Sequence, residues 1–214
     1  MADLSGKTVI VLGNEGTLSL AIQNTLTEDG AAVSILDIAE SNETAWESGL
    51  LRSNHRPKKI DAIVNVAVPD SGGSIGDITL ERFRSILEAS YIRAWLAHKY
   101  GILSMRETGG GAFITVTSVD GLTGAPGAAA SCAVSRGIVQ MTRSAAVECA
   151  EKRDGVRINA ILVADILQGQ QEGFATGHVS PEDIAKAVAH FSSDAAVYIT
   201  GVVMPLDNGG RLPS

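Results

Sequence analysis

Tyrosine is missing from the whole stretch between Tyr100 and Tyr198, so no phenol is available from the middle of the chain for acid–base chemistry. Cysteine is scarce: Cys132 and Cys149 are the two in 214 residues. Both fall on one expected helix, whose rise holds them roughly 25 Å apart, out of disulfide reach. A reducing compartment fits, and the expected localisation is cytoplasmic. Basic residues are the minority, 17 Lys and Arg against 24 Asp and Glu, for a formal charge of −7. That balance argues against a nucleic-acid or anionic-membrane partner, since both require a cationic footprint. No uninterrupted apolar stretch is long enough to span a bilayer, and the start of the chain shows no basic segment leading into a long apolar run. The four histidines are scattered without metal-ligand spacing, and no metal is expected.

What is present is an apolar chain, 45% hydrophobic, of a length for one domain over residues 1–214. Strand and helix patterns alternate along it, which implies an α/β fold with a doubly wound parallel sheet in three layers. Residues 8–12 (TVIVL) form a continuous apolar run suited to a strand buried on both faces. A glycine-bearing turn follows, then a helix over 18–29 and a strand over 32–37. Further strands are expected at 62–66, 112–116 and 156–163, with a closing strand at 198–206. Long helices are expected at 81–106 and 131–152. Ser180, Pro181 and Asp183 read as an N-cap, a first helical position and an acidic first turn for a helix over 182–191. Two connections are short. The stretch 37–61 has room for one helix but not for a helix, a strand and another helix, and 164–179 is brief and irregular.

The chemistry-bearing motifs fall at strand ends. The turn Gly13–Ala21 (GNEGTLSLA) joins a strand to a helix, where close backbone approach and free helix N–H groups suit a phosphate. Asp37 ends the second strand, Asn65-Val66-Ala67-Val68 ends the third, and Ser118 ends the strand GAFITVTS. Cys132 and Arg136 stand four apart on the following helix. From LSGKTVIVLG to the terminal DNGG, this order resembles the short-chain dehydrogenase/reductase family. In that family a strand-end serine precedes a tyrosine, with a lysine four residues later.

The resemblance implies a Rossmann-like fold with a shortened third-strand region and a shortened substrate lid. It places Cys132 and Arg136 at the tyrosine and lysine positions, Ser118 at the catalytic serine and Ser90 at the helix asparagine of the proton relay. Tyr91 beside it is read as a helix-packing residue. The spacing of Gly13 and Ser19 is that of the branch containing bacterial enoyl reductases. Glu15 places a carboxylate in the phosphate turn, Val68 replaces a glycine beside the adenosine, and Val163, Ala164 and Gln168 replace the residues that clamp nicotinamide. Gly13, Ser19, Asp37 and Asn65 are therefore read as vestigial cofactor positions. No cofactor is expected, or NAD rather than NADP if one binds, because Asp37 favours an unphosphorylated ribose. The expected function is a catalytically inactive subunit that serves as assembly partner of an active, homologous NAD-dependent dehydrogenase in a heterotetramer, with a hydroxyacyl-CoA-type substrate by analogy alone. Helices 81–106 and 134–152 would form the interface, crossing at Gly137 and Ala145, with 198–206 as a second contact. Two alternatives stay open: an atypical oxidoreductase or non-redox enzyme using Cys132 and Arg136, and a sensor of a small ligand. An arginine in the lysine position supplies charge but no proton relay near neutral pH.

Overall fold

A computed structural model describes residues 2–53, 57–164 and 179–209. Its six strands form one parallel sheet in the order β2-β1-β3-β4-β5-β6, with β1 Thr8–Leu12, β2 Ala32–Leu36, β3 Ala62–Val66, β4 Gly111–Ser118, β5 Val156–Val163 and β6 Val203–Leu206. The central strands carry apolar side chains on both faces. Val9 and Val11 point to one core with Leu18, Ile22 and Leu26 of α1 (Thr17–Glu28) and Ile184, Val188 and Phe191 of α6 (Pro181–Ser192). Ile10 and Leu12 point to the other, with Trp46 and Leu50 of α2 (Glu43–Leu50) and Leu96, Tyr100 and Met105 of α4 (Arg93–Glu107). Two faces covered by helices are what a parallel sheet requires. The Rossmann-like α/β reading holds.

Among the described residues the short 37–61 stretch supplies α2 and no strand between β2 and β3, so β2 is the edge of the described sheet and its residues are exposed or partly buried. The closing strand is shorter than expected. It begins at Val203, while Tyr198 stands 97% exposed ahead of it. Ser180 caps α6, its Oγ accepting from the Asp183 N–H at 3.1 Å. The long helix expected at 81–106 is interrupted. It runs as α3 (Leu80–Ile86), one π turn (Leu87–Ile92) and α4.

The π turn lies beside α5 (Ala129–Lys152) and explains Gly137. A Cβ there would come within 2.7 Å of the Tyr91 ring. The glycine therefore makes room for a side chain of its own chain, which corrects its expected role as a free crossing point for a partner helix. Tyr91 is a packing residue, grouped with Val134 and Ile138 of α5. Gly101 works similarly one helix away: a Cβ would approach the Phe113 ring to 2.6 Å, so α4 sits close on the sheet. No helix among the described residues is long and apolar enough to cross a membrane.

Candidate functional site

β1 leads to β2 on one side of the sheet, and the chain then crosses back to place β3 on the other side of β1. Ligands of open α/β sheets bind at such a reversal, outside the carboxyl ends of the strands. A cleft of about 530 Å³ lies there, lined among others by Gly13, Gly16, Thr17, Asn65, Val68 and Arg93.

The turn after β1 forms its phosphate-sized end. Gly13 has φ 153° and packs so closely that a Cβ would stand 3.3 Å from both Ser19 Oγ and Val66 Cβ. Gly16 is the N-cap of α1 and offers no side chain to the helix, and the first turn holds no acidic residue. The initial N–H groups of α1 thus lack a side-chain cap and carry the positive end of the helix dipole at the cleft. Glu15 is exposed and is not among the residues that line the cleft, so its carboxylate does not occupy the space in front of those N–H groups. Ser19 is 1% exposed and lies beneath the turn. It does not line the cleft.

The strand ends supply the polar groups. Asn65 is buried on β3, and its Nδ2 has no hydrogen-bond partner among the described residues. A buried donor left unpaired costs about 1–3 kcal/mol, and in a cleft lining it marks the place for an acceptor atom from a ligand. Asp37, just after β2, accepts from Arg93 Nη2 at 2.8 Å. Ser90 is buried in the π turn and lines the same cleft. Val68 narrows the cleft without closing it. The donors on the lining, an uncapped helix N-terminus and an orphaned amide, fit the pyrophosphate and adenosine half of a dinucleotide, and the Asp37 carboxylate stands just outside the lining as an acceptor at the second strand end.

A second group of polar side chains gathers at the end of β4. Ser118 Oγ accepts from the Asp120 N–H at 3.1 Å. Ser131 Oγ donates to Asp120 Oδ2 at 2.8 Å, and Thr117 Oγ1 donates to Ser135 Oγ at 3.3 Å. Ser131 and Ser135 stand four apart on α5, Ser135 meeting Thr117 of β4 and Ser131 meeting Asp120 in the short turn that follows it. Cys132 and Arg136 lie one position further round, about 100° on the helical wheel, and bond only to backbone carbonyls of that turn and the loop beyond it. Cys132 Sγ donates to the Thr123 carbonyl at 3.5 Å and Arg136 Nη1 to the Gly121 carbonyl at 3.2 Å. Among the described residues the structure brings Ser118 and Ser131 together through Asp120, and it shows no bond between Cys132 and Arg136. Ser90 belongs to the cleft and not to this group. Of the three expected nicotinamide-clamp positions, Val163 and Ala164 are buried and Gln168 lies outside the described residues.

Two contributors escaped the sequence reading. Arg93 and Asp120 pair with residues 56 and 11 positions away, which no local pattern shows. Ser131 was visible as the neighbour of Cys132, but only the helix phase decides which of the two faces the sheet.

Residues 4–210 match the family model described as enoyl-(acyl carrier protein) reductase. The chain belongs to the short-chain dehydrogenase/reductase family. It is 28% identical over 251 residues to a 2,5-dichloro-2,5-cyclohexadiene-1,4-diol dehydrogenase of Sphingobium indicum, covering 98% of each chain. It is 28% identical over 245 residues to a 3-oxoacyl-(acyl-carrier-protein) reductase of Rickettsia felis, covering 99% of each. An NADP-dependent (R)-specific alcohol dehydrogenase of Lentilactobacillus kefiri is 27% identical over 244 residues, with 96% of this chain and 97% of that one covered. These alignments are longer than the 214-residue chain, which therefore carries deletions relative to these family members.

The comparisons correct two expectations. Similar family members are named as dehydrogenases and reductases along nearly their whole length, and nothing in them supports an inactive structural subunit. The inference of inactivity rested on the missing tyrosine and on the altered lysine and cofactor positions, and the relatives, all named as active enzymes, give it no support. The expectation of no cofactor also lacks support, because one relative is named for its NADP dependence and the cleft that would hold a dinucleotide is open.

Proposed function

We propose that this protein is an oxidoreductase that binds a nicotinamide dinucleotide in the cleft at the ends of β1, β2 and β3 and interconverts a secondary alcohol and its ketone. The observation that carries the reading is the cleft itself, where the unpaired Asn65 amide and the uncapped N-terminus of α1 meet. The N–H groups of Thr17 and Leu18 would hold the pyrophosphate. Asn65 Nδ2 would donate to an acceptor on the nucleotide, and Asp37 would accept from ribose hydroxyls. When bound, the dinucleotide supplies hydride acceptance and return.

The chain's own part in the chemistry is to seat the substrate oxygen and manage its proton. Ser118, Ser131 and Asp120 are the described polar groups at the β4 end, on the sheet end shared with the cleft. A carboxylate hydrogen-bonded to a hydroxyl can take the proton that leaves an alcohol and return it in the reverse direction. The names of the relatives, a cyclic diol dehydrogenase, an alcohol dehydrogenase and a 3-oxoacyl reductase, support an alcohol–ketone pair as the substrate class.

The test is calorimetry of the full chain with NAD and NADP, followed by a screen of cyclic and linear secondary alcohols by the absorbance of reduced nicotinamide. Micromolar binding of either nucleotide with turnover on one alcohol is the expected result. Failure of both nucleotides to bind would overturn the reading.

A further inference from the structure

We propose that a cavity at the amino-terminal end of the sheet, opposite the cleft, is a binding site for a tetrahedral oxydianion, supplied as inorganic phosphate or as a phosphomonoester. The inference does not depend on the dinucleotide reading. The cavity measures about 450 Å³ and lies where the chain enters β1, β3, β4 and β5. Its charged lining is Lys7, Lys59, Arg153 and Arg157 against Asp61 and Asp194. Cations are thus in surplus here, on a chain whose formal charge is −7. A cationic concavity on an acidic protein draws anions to one place.

The ion pairs show where the surplus sits. Asp61 is held by Lys59 Nζ at 2.6 Å and by the Thr8 N–H at 2.9 Å, and its side chain is 8% exposed. That pair is neutral and fixed. Asp194 meets Lys7 Nζ at 2.7 Å, but its side chain is 90% exposed against 17% for Lys7. A pair with one partner in water is weak, so an anion in the cavity can take the ammonium and leave Asp194 to solvent. Neither arginine has a carboxylate bonded to it among the described residues. Arg157 is part-buried and donates to the carbonyls of Ile199 and Phe191 at 3.3 and 3.0 Å, which uses only part of its five N–H groups. Burial pushes its pKa down, with Asp194 opposing. This guanidinium has lost water without gaining a bonded counter-charge. Arg153 is exposed and ends α5 in the left-handed conformation, φ 53°, where glycine or asparagine is usual. The Cys149 and Ala150 carbonyls at that helix end already accept from the N–H groups of Asp154 and Arg153, so the Arg153 side chain is not what satisfies them. Two guanidinium forks and an ammonium suit one ligand, since the forks bind phosphate oxygens in pairs and the ammonium adds a point charge.

The experiment titrates inorganic phosphate and glycerol 3-phosphate by calorimetry into the full chain, at about pH 8 so that each phosphate carries close to two charges. Ionic strength is held constant, and sodium chloride is the blank. The same titrations are run on Arg153→Asn, Arg157→Gln, Lys7→Gln and Asn65→Leu. Binding with a dissociation constant below about 1 mM is expected. Arg153→Asn and Arg157→Gln should each weaken it about tenfold, the scale of one charge-assisted hydrogen bond, and Lys7→Gln should weaken it as well. Asn65→Leu, which removes a donor from the cleft, should leave it unchanged. Tighter binding of glycerol 3-phosphate would assign the site to a phosphorylated metabolite, and equal binding to the free ion. Heats no larger than the chloride blank would overturn the inference. So would binding that is lost in Asn65→Leu and kept in Arg153→Asn, which would put the anion at the α1 turn. Should Arg157→Gln fail to fold, Arg153→Asn carries the test, because asparagine tolerates the left-handed position and the side chain it replaces is exposed.

Discussion

Lowering the pH from 7 to 5 should cost this protein about 2 kcal/mol of stability through a single buried side chain, His98 on α4. Its ring is 3% exposed and lies 4.6 Å from the ring of Phe113. Nδ1 contacts the Ala94 carbonyl at 2.7 Å, and a carbonyl only accepts, so Nδ1 carries the proton of the neutral ring. Nε2 is left as an acceptor for the hydroxyls of Thr142 and Thr115 at 3.3 and 3.4 Å. A second proton would add charge to a buried ring that has no carboxylate bonded to it among the described residues. Burial pushes the pKa down from 6.5 to about 4, against the opposing bond to Ala94.

The unfolded chain therefore takes up a proton below pH 6.5 that the native state refuses until about pH 4. Stability from this group is complete above 6.5 and is lost as pH falls toward the folded pKa. At about 1.4 kcal/mol for each pH unit, the loss reaches about 2 kcal/mol by pH 5 and about 3 kcal/mol near pH 4. Asp61, Asp154 and Asp183 also have lowered pKa values, but their ordinary value is 3.8, so they act below this window. The assay is urea unfolding of wild type and His98→Gln at pH 7, 6 and 5. The variant should start lower, since a buried polar contact is disturbed, yet lose less than about 0.5 kcal/mol between pH 7 and 5. Parallel losses in the two proteins would refute the assignment.

Gly137→Leu should destabilise the fold by about 1–3 kcal/mol, the cost of overpacking, because the new side chain meets the Tyr91 ring; chemical denaturation checks it, and adding Tyr91→Ala should recover part of the loss. Asn65→Leu should leave the unliganded fold no less stable by thermal unfolding, since the orphaned amide is removed, while abolishing the rise in Tm that NAD or NADP gives. Ser180→Ala should cost about 1 kcal/mol through loss of the α6 cap, read as a shift in the urea midpoint with an unchanged slope.

The sequence alone carried most of the frame. The runs at 8–12, 62–66 and 156–163 coincide with β1, β3 and β5, because a strand buried on both faces is apolar at most of its positions and so declares itself without reference to neighbours. The cap at Ser180 was legible for a similar reason, since the hydroxyl serves an N–H three residues on. The lost strand after β2 was a matter of chain length. So was the family, whose motifs lie in order along the chain even where individual residues have changed.

Tertiary structure decided the site. The phase of α5 gives Ser131 and Ser135 side-chain partners in Asp120 and Thr117 and leaves Cys132 and Arg136 on backbone carbonyls, and a rotation of one residue leaves no trace in spacing. The π turn breaks a helix whose apolar pattern reads as continuous, and its Leu87 and Tyr91 pack in one cluster with Val134 and Ile138 of α5, a contact that only the fold supplies. Arg93 meets Asp37 across 56 positions, and the Asn65 amide nitrogen is left without a partner among the described residues. Such facts depend on distances through space between segments far apart in sequence. Local pattern sets which elements form; the cleft, its open donors and its charge pairing exist only once those elements are packed.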